Sequence, residues 1–182
     1  MELPQIASEL PPELLEWFSV EVDPGDAPEL HMAGLQGNDL ATCFKVLRSL
    51  ASGWSDRTFH LDAEGIDVTV ADRPDVAELV LAREVSVACV STDELEVNGV
   101  RLPLLGMFLY PSAIQFFWWP EKAWTAVRIA TFLGLLVGFL DLAPEAELRP
   151  DPRYSPAARE RLGRALGDYI RMPSRVTTRE IS

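Results

Sequence analysis

Apolar and polar positions follow two periods along this chain, and the switches between them outline its elements. Leu40, Cys43, Phe44, Leu47, Leu50 and Ala51 recur at spacings of three and four, while Lys45, Arg48 and Ser49 face away. That pattern predicts a helix over Asn38–Ser52, with Asn38 as N-cap and Gly53 as its stop. Pro11 and Pro12 open a shorter helical pattern carrying Leu14, Leu15, Trp17 and Phe18; a first turn tolerates proline because its N–H groups lack intrahelical partners. Between these two segments, Asp23–Asp39 reads as loop with one short strand near Leu30–Leu35.

The period then shortens to two. Thr58–Leu61 and Ile66–Val70 flank Asp62-Ala63-Glu64-Gly65 and predict a hairpin. Asp75–Arg83 reads as a short helix and Glu84–Ser91 as a strand. Asn98-Gly99 is the sharpest local signal, because a type I′ hairpin turn requires positive φ at both central residues. Leu104–Tyr110 and Ala113–Trp119 form a further hairpin around Pro111-Ser112. In its second strand Ile114, Phe116 and Trp118 share one face while Gln115, Phe117 and Trp119 share the other, so both faces are apolar.

A long helix is expected from Lys122 to Leu142, with Ala126, Ala130, Gly134 and Gly138 recurring every four residues. Its uncharged run Ile129–Leu140 spans about 18 Å at the helical rise. A hydrocarbon core is about 30 Å thick, so no membrane span is expected. After a proline-rich link from Pro144 to Pro152, Ser155-Pro156 starts a last helix to Arg171, expected to close over the second half of the long one. The sum is an α+β domain over residues 1–172. Its antiparallel, hairpin-built sheet of five to seven strands packs against a long apolar helix and two further helices, and residues 173–182 form a mobile polar tail.

Composition narrows the function classes. The net charge of −12 argues against a bare phosphate backbone and against anionic membranes, so nucleic acid is not an expected partner. Charge is unevenly placed: Met1–Phe44 holds nine carboxylates and no Lys or Arg, while Arg153–Ser182 holds seven arginines against three acids. The two ends can attract each other in the fold, or the acidic end can face a basic partner. Two cysteines give neither a disulfide framework nor metal-ligand spacing. No secretory signal is apparent, so the cytoplasm is the expected compartment. Arginine outnumbering lysine fourteen to two fits a GC-rich bacterial genome.

Catalytic motifs are missing. There is no phosphate loop, dinucleotide fingerprint, paired-histidine zinc helix or calcium loop, and no cofactor, metal or catalytic residue is expected. Asp62, Glu64, Asp67 and Asp72 cluster at the first hairpin, where acids also serve turns. Cys43 with His31 or His60 is a weaker nucleophilic pairing, since Cys43 falls on an apolar helix face.

The Phe116–Trp119 run remains, as core, interface anchor or ligand pocket. The leading expectation is a non-enzymatic protein-binding protein, an immunity-type inhibitor or chaperone-like partner. Its candidate interface is Phe117, Trp118 and Trp119 with the acidic residues Glu13, Glu16, Glu21, Asp23 and Asp26. The partner is another protein, a basic one where the acidic end docks it, or a second copy of the chain. The alternatives are a small hydrophobic-ligand binder near Trp118, Trp124, Ala130 and Gly134, or an enzyme using carboxylates around Asp62–Asp72.

Overall fold

A computed structural model describes residues 10–19, 27–55, 58–62, 64–120 and 122–171. The tail expected at 173–182 and the interface candidates Glu21, Asp23 and Asp26 lie outside the described residues. In chain order the elements are α1 (Pro12–Ser19), β1 (Glu29–Ala33), α2 (Asp39–Leu50), β2 (Thr58–Leu61), β3 (Ile66–Thr69), α3 (Val76–Leu81) and β4 (Ala88–Thr92). They continue with β5 (Glu96–Val97), β6 (Val100–Arg101), β7 (Leu105–Tyr110), β8 (Ala113–Trp118), α4 (Ala126–Leu142), β9 (Glu147–Pro150) and α5 (Pro156–Arg171). The class is α+β with an antiparallel sheet, as the hydrophobic pattern predicts.

The principal sheet has five strands in the order β4-β7-β8-β1-β9, and β2-β3 and β5-β6 are separate two-stranded ribbons. Each principal pairing is antiparallel. The β5-β6 turn has Asn98 and Gly99 at φ 51° and 77°, the two positive values that Asn-Gly supplies.

One sheet face is buried along β4, β7, β8 and β1. Leu30, Met32, Leu105, Met107, Leu109, Ile114, Phe116 and Trp118 meet Phe18 from α1 and Phe132 from α4 in a continuous core. Helix α4 presents Ile129, Phe132, Leu133, Leu135, Leu136 and Phe139 to it. Of the residues alternating with these in the strands, His31, Ala33, Cys89, Phe108, Tyr110, Ala113 and Gln115 are only half-buried, while Glu29, Ser91, Gly106 and Phe117 are buried. The sheet thus has a sealed face and a partly open one.

Several expectations are corrected. The segment read as a proline-rich link contains β9, an edge strand in which proline is tolerated because its missing N–H faces away from the ladder. Helix α5 rests on α1 and β9 rather than closing over α4. Helix α4 begins at Ala126, where the Thr125 hydroxyl accepts from the Arg128 N–H at 3.4 Å. Asn38 does precede α2 but makes no side-chain cap; the neighbouring Asp39 carboxylate instead accepts from the Gln36 N–H at 2.9 Å. The strand expected at Glu84–Ser91 is Ala88–Thr92. No helix among the described residues is long and apolar enough to cross a membrane.

Candidate functional site

The aromatic hairpin divides by strand alternation. Trp118 is a core residue at 0 % exposure, stacked on Phe18 at 4.2 Å and meeting Trp17, Trp124 and Phe132 edge-on. Its expected interface role is therefore corrected: the even positions of β8 point into the sealed face. Phe18 and Phe132 pack against Trp118 and Trp124, the place that the ligand-binding alternative names.

Phe117 lies on the open face. It packs between Phe108 at 5.1 Å and Trp119 at 5.7 Å, covered to 5 % exposure, while Trp119 is 45 % exposed. Leu104, 38 % exposed, stands one residue beyond the Leu105↔Trp118 pair, which brings it to Trp119. The row is possible because Gly106 lies opposite Phe117 and has no side chain to occupy the ring's place.

Glu16 is exposed on α1. Glu13 is half-buried and lines a groove shared with Arg161 and Arg164, and with Glu160 and Asp168, of α5. The first-hairpin acids are engaged by neighbouring side chains. Asp67 pairs with His60 at 2.8 Å, Asp62 accepts from the Ser86 hydroxyl at 2.8 Å, and Asp72 accepts from the Thr69 hydroxyl at 2.8 Å. The Thr69 hydrogen bonds hold the Asp72 carboxyl below its ordinary range. Cys43 is fully buried, and burial with the nearby Asp39 charge pushes its thiol up to about 12, which removes it as a nucleophile.

A second cluster has no counterpart in the expectations. Strand alternation puts Glu29 and His31 of β1 on the open face together with Gln115 of β8, and the β1–β9 pairing brings up Asp151, just past β9. Glu29 and Asp151 are buried, with side chains 10 % and 3 % exposed. His31 Nε2 lies 3.6 Å from Glu29 Oε2 and 3.8 Å from Asp151 Oδ2. Both distances are too long for a hydrogen bond, and this buried nitrogen has no partner among the described residues.

Arg153 joins the two acids. Its guanidinium donates to Asp151 Oδ2 from Nε at 2.9 Å and from Nη2 at 2.7 Å, and pairs with Glu29 Oε1. Gln115 Nε2 donates to Glu29 Oε2. The Tyr154 hydroxyl accepts from the Glu29 N–H at 3.3 Å and from Trp17 Nε1 at 3.1 Å, anchoring the loop that carries Arg153.

These contacts drive the carboxyls apart. Burial, reinforced by Asp151 and opposed by Arg153, raises Glu29 to about 7. Burial also acts to raise Asp151, but hydrogen bonds from Arg153 and Glu29 outweigh it and hold Asp151 below the usual carboxylate range. Burial, against the pull of Asp151, lowers His31. The two carboxyls are thus pushed in opposite directions, Glu29 towards its neutral form and Asp151 towards its charged one. Beside them a cleft of about 480 Å³ is lined by His31, Arg149, Pro150, Pro152, Pro156 and Arg159, among others.

The raised carboxyl makes stability depend on pH. Glu29 keeps its proton in the fold over a range where the unfolded chain, titrating near 4.5, has lost it. Its contribution is fully present below about 4.5 and is lost as pH rises towards 7. His31 acts in the opposite sense over part of that range, and Asp151 acts only below it, so the comparison with Glu29→Gln isolates the effect. Urea unfolding in chelator-containing buffer should show wild type losing about 2 kcal/mol relative to Glu29→Gln between pH 5 and pH 7.

Among the described residues, Glu29, His31 and Asp151 could hold a metal ion, and their ligand atoms all lie within 4.8 Å of one another. Ligand spacing along the sequence does not reveal them. The visible signals are Glu29-x-His31 and Asp151-x-Arg153, each at the same-face interval of a strand. No protein-family model, no curated protein and no solved structure matches the chain.

Proposed function

We propose that this chain is a non-enzymatic protein-binding protein of the bacterial cytoplasm, an immunity-type inhibitor or chaperone-like partner, that docks a basic protein on the open face of its sheet. The observation that carries the reading is the aromatic row Phe108–Phe117–Trp119, extended by Leu104, on a sheet face left partly open. Interface cores favour aromatic residues seated among neighbours that hold them rigid. Phe117 is held in this way by Phe108 and Trp119. The net charge of −12 adds long-range attraction for a basic partner and speeds encounter.

The test is capture of the tagged protein from its own cells, with mass spectrometry of what co-elutes at low and high salt. The comparison variant is Trp119→Ala with Leu104→Ser, both at exposed positions. The expected result is one basic protein in stoichiometric amount, bound more weakly at high salt and reduced at least about tenfold by the double substitution. Equal recovery with the variant overturns this surface as the docking site. Return of the chain's own copy alone overturns the foreign-partner reading in favour of self-association.

A further inference from the structure

We propose that Glu29, His31 and Asp151 form a binding site for a divalent transition-metal ion of the zinc class, with Arg153 occupying the cation's place in the metal-free protein. The site is independent of the protein-docking reading. It rests on three observations. The first is the ligand set. One imidazole and two carboxylates suit zinc or manganese, and the nitrogen donor favours zinc-like ions over magnesium or calcium.

The second observation is spacing. Zinc bonds nitrogen and carboxylate oxygen at about 2.0–2.2 Å, so two ligands of a tetrahedral site lie about 3.4 Å apart. The His31 nitrogen stands 3.6 Å and 3.8 Å from the two carboxylate oxygens. Both are within a few tenths of an ångström of that separation, and with all three ligand atoms inside 4.8 Å of one another, side-chain shifts of up to about 1 Å close the site around an ion. As hydrogen bonds these distances explain nothing, and the buried Nε2 would remain without a partner. An ion supplies that partner.

The third observation is the surroundings. Gln115 donates to the Glu29 oxygen that faces His31, and the Arg153 N–H donates to Asp151 Oδ1 at 2.6 Å. Both bonds orient carboxylates in the way supporting groups orient metal ligands. The Arg153 side chain is 65 % exposed, unlike the acids it touches, and is free to swing into solvent when a smaller, doubly charged ion enters. Three protein ligands leave a coordination position open, and His31 also lines the cleft that holds Arg149 and Arg159.

Competition between Arg153 and the ion separates a metal site from a plain ion-pair cluster. Titration calorimetry on untagged, chelator-treated protein, with ZnCl2, MnCl2 and MgCl2 in turn, should show one equivalent of Zn²⁺ bound at micromolar or tighter affinity and Mg²⁺ bound far more weakly. His31→Gln and Asp151→Asn should each weaken Zn²⁺ at least about tenfold. Arg153→Gln should tighten it. Melting curves of each variant check that it folds. Arg153→Gln keeps all three ligands but removes the guanidinium that joins two buried acids, so once its melting curve shows it folded, a gain in Zn²⁺ affinity there separates competition for the site from a purely structural role. No Zn²⁺ binding by wild type overturns the proposal. So does Zn²⁺ binding unaffected by His31→Gln and Arg153→Gln, or Mg²⁺ binding as tight as Zn²⁺.

Discussion

Trp118→Ala is expected to cost about 3–5 kcal/mol in urea unfolding, whereas Trp119→Ala should cost about 0.5 kcal/mol. The two tryptophans are chain neighbours on opposite sides of one strand. Trp118 is at 0 % exposure and touches four aromatic rings from α1, α4 and the loop before α4. Its removal deletes one of the two fully buried tryptophans among the described residues, at the point where those elements converge. The neighbours cannot collapse into the gap without moving whole helices, so the cavity penalty adds to the lost transfer free energy. A domain's total stability is about 5–15 kcal/mol, so Trp118→Ala approaches the threshold for folding at all. Trp119 is 45 % exposed and loses mainly its contact with Phe117. Equal costs at the two positions would mean that the assignment of sheet faces is wrong.

Gly106→Ala is expected to destabilise by about 1–3 kcal/mol and to disturb the aromatic row. A Cβ on Gly106 would stand 2.1 Å from Cζ of Phe117, well inside van der Waals contact. Phe108 and Trp119 flank the ring, so it must rotate off its rotamer or leave the face. Near-ultraviolet circular dichroism reports the displaced ring, and partner capture reports the functional consequence. Phe117→Leu in the Gly106→Ala background should restore part of the stability, because a smaller side chain makes room for the methyl. No destabilisation by Gly106→Ala, or no rescue by the second substitution, would show that the ring does not rest on Gly106.

Much of the fold is legible from residues whose local physics allows one answer. Asn98-Gly99 permits a type I′ turn and little else. Leu40 through Leu47 repeat at helical spacing, and Ile114, Phe116 and Trp118 repeat at strand spacing. What alternation cannot decide is which face of β8 is covered, because Phe117 and Trp119 are as apolar as Phe116 and Trp118. Helices packing from one side made that choice. Strand β9 was hidden for another reason. Glu147-Leu148-Arg149-Pro150 is short, half polar and ends in proline, features tolerated only at a sheet edge. Missing β9 concealed the candidate site as well, since Asp151 reaches Glu29 and His31 only through the β1–β9 pairing. Local patterns carry side-chain periods but no information on which distant strands pair.

That pairing has a kinetic consequence. Glu29 and Tyr154, joined by a hydrogen bond, are 125 residues apart, and Trp17 and Tyr154 are 137 apart. Closing so long a loop is entropically costly before any contact repays it. Hairpins such as β7-β8 need only their own turn and can form early, but the Glu29–His31–Asp151 cluster cannot exist until β9 docks against β1. A nascent chain still short of residue 151 therefore carries β1 as an exposed edge strand, with two future ligands and no counterpart. The last principal strand to leave the ribosome is the one that both seals that edge and creates the cluster.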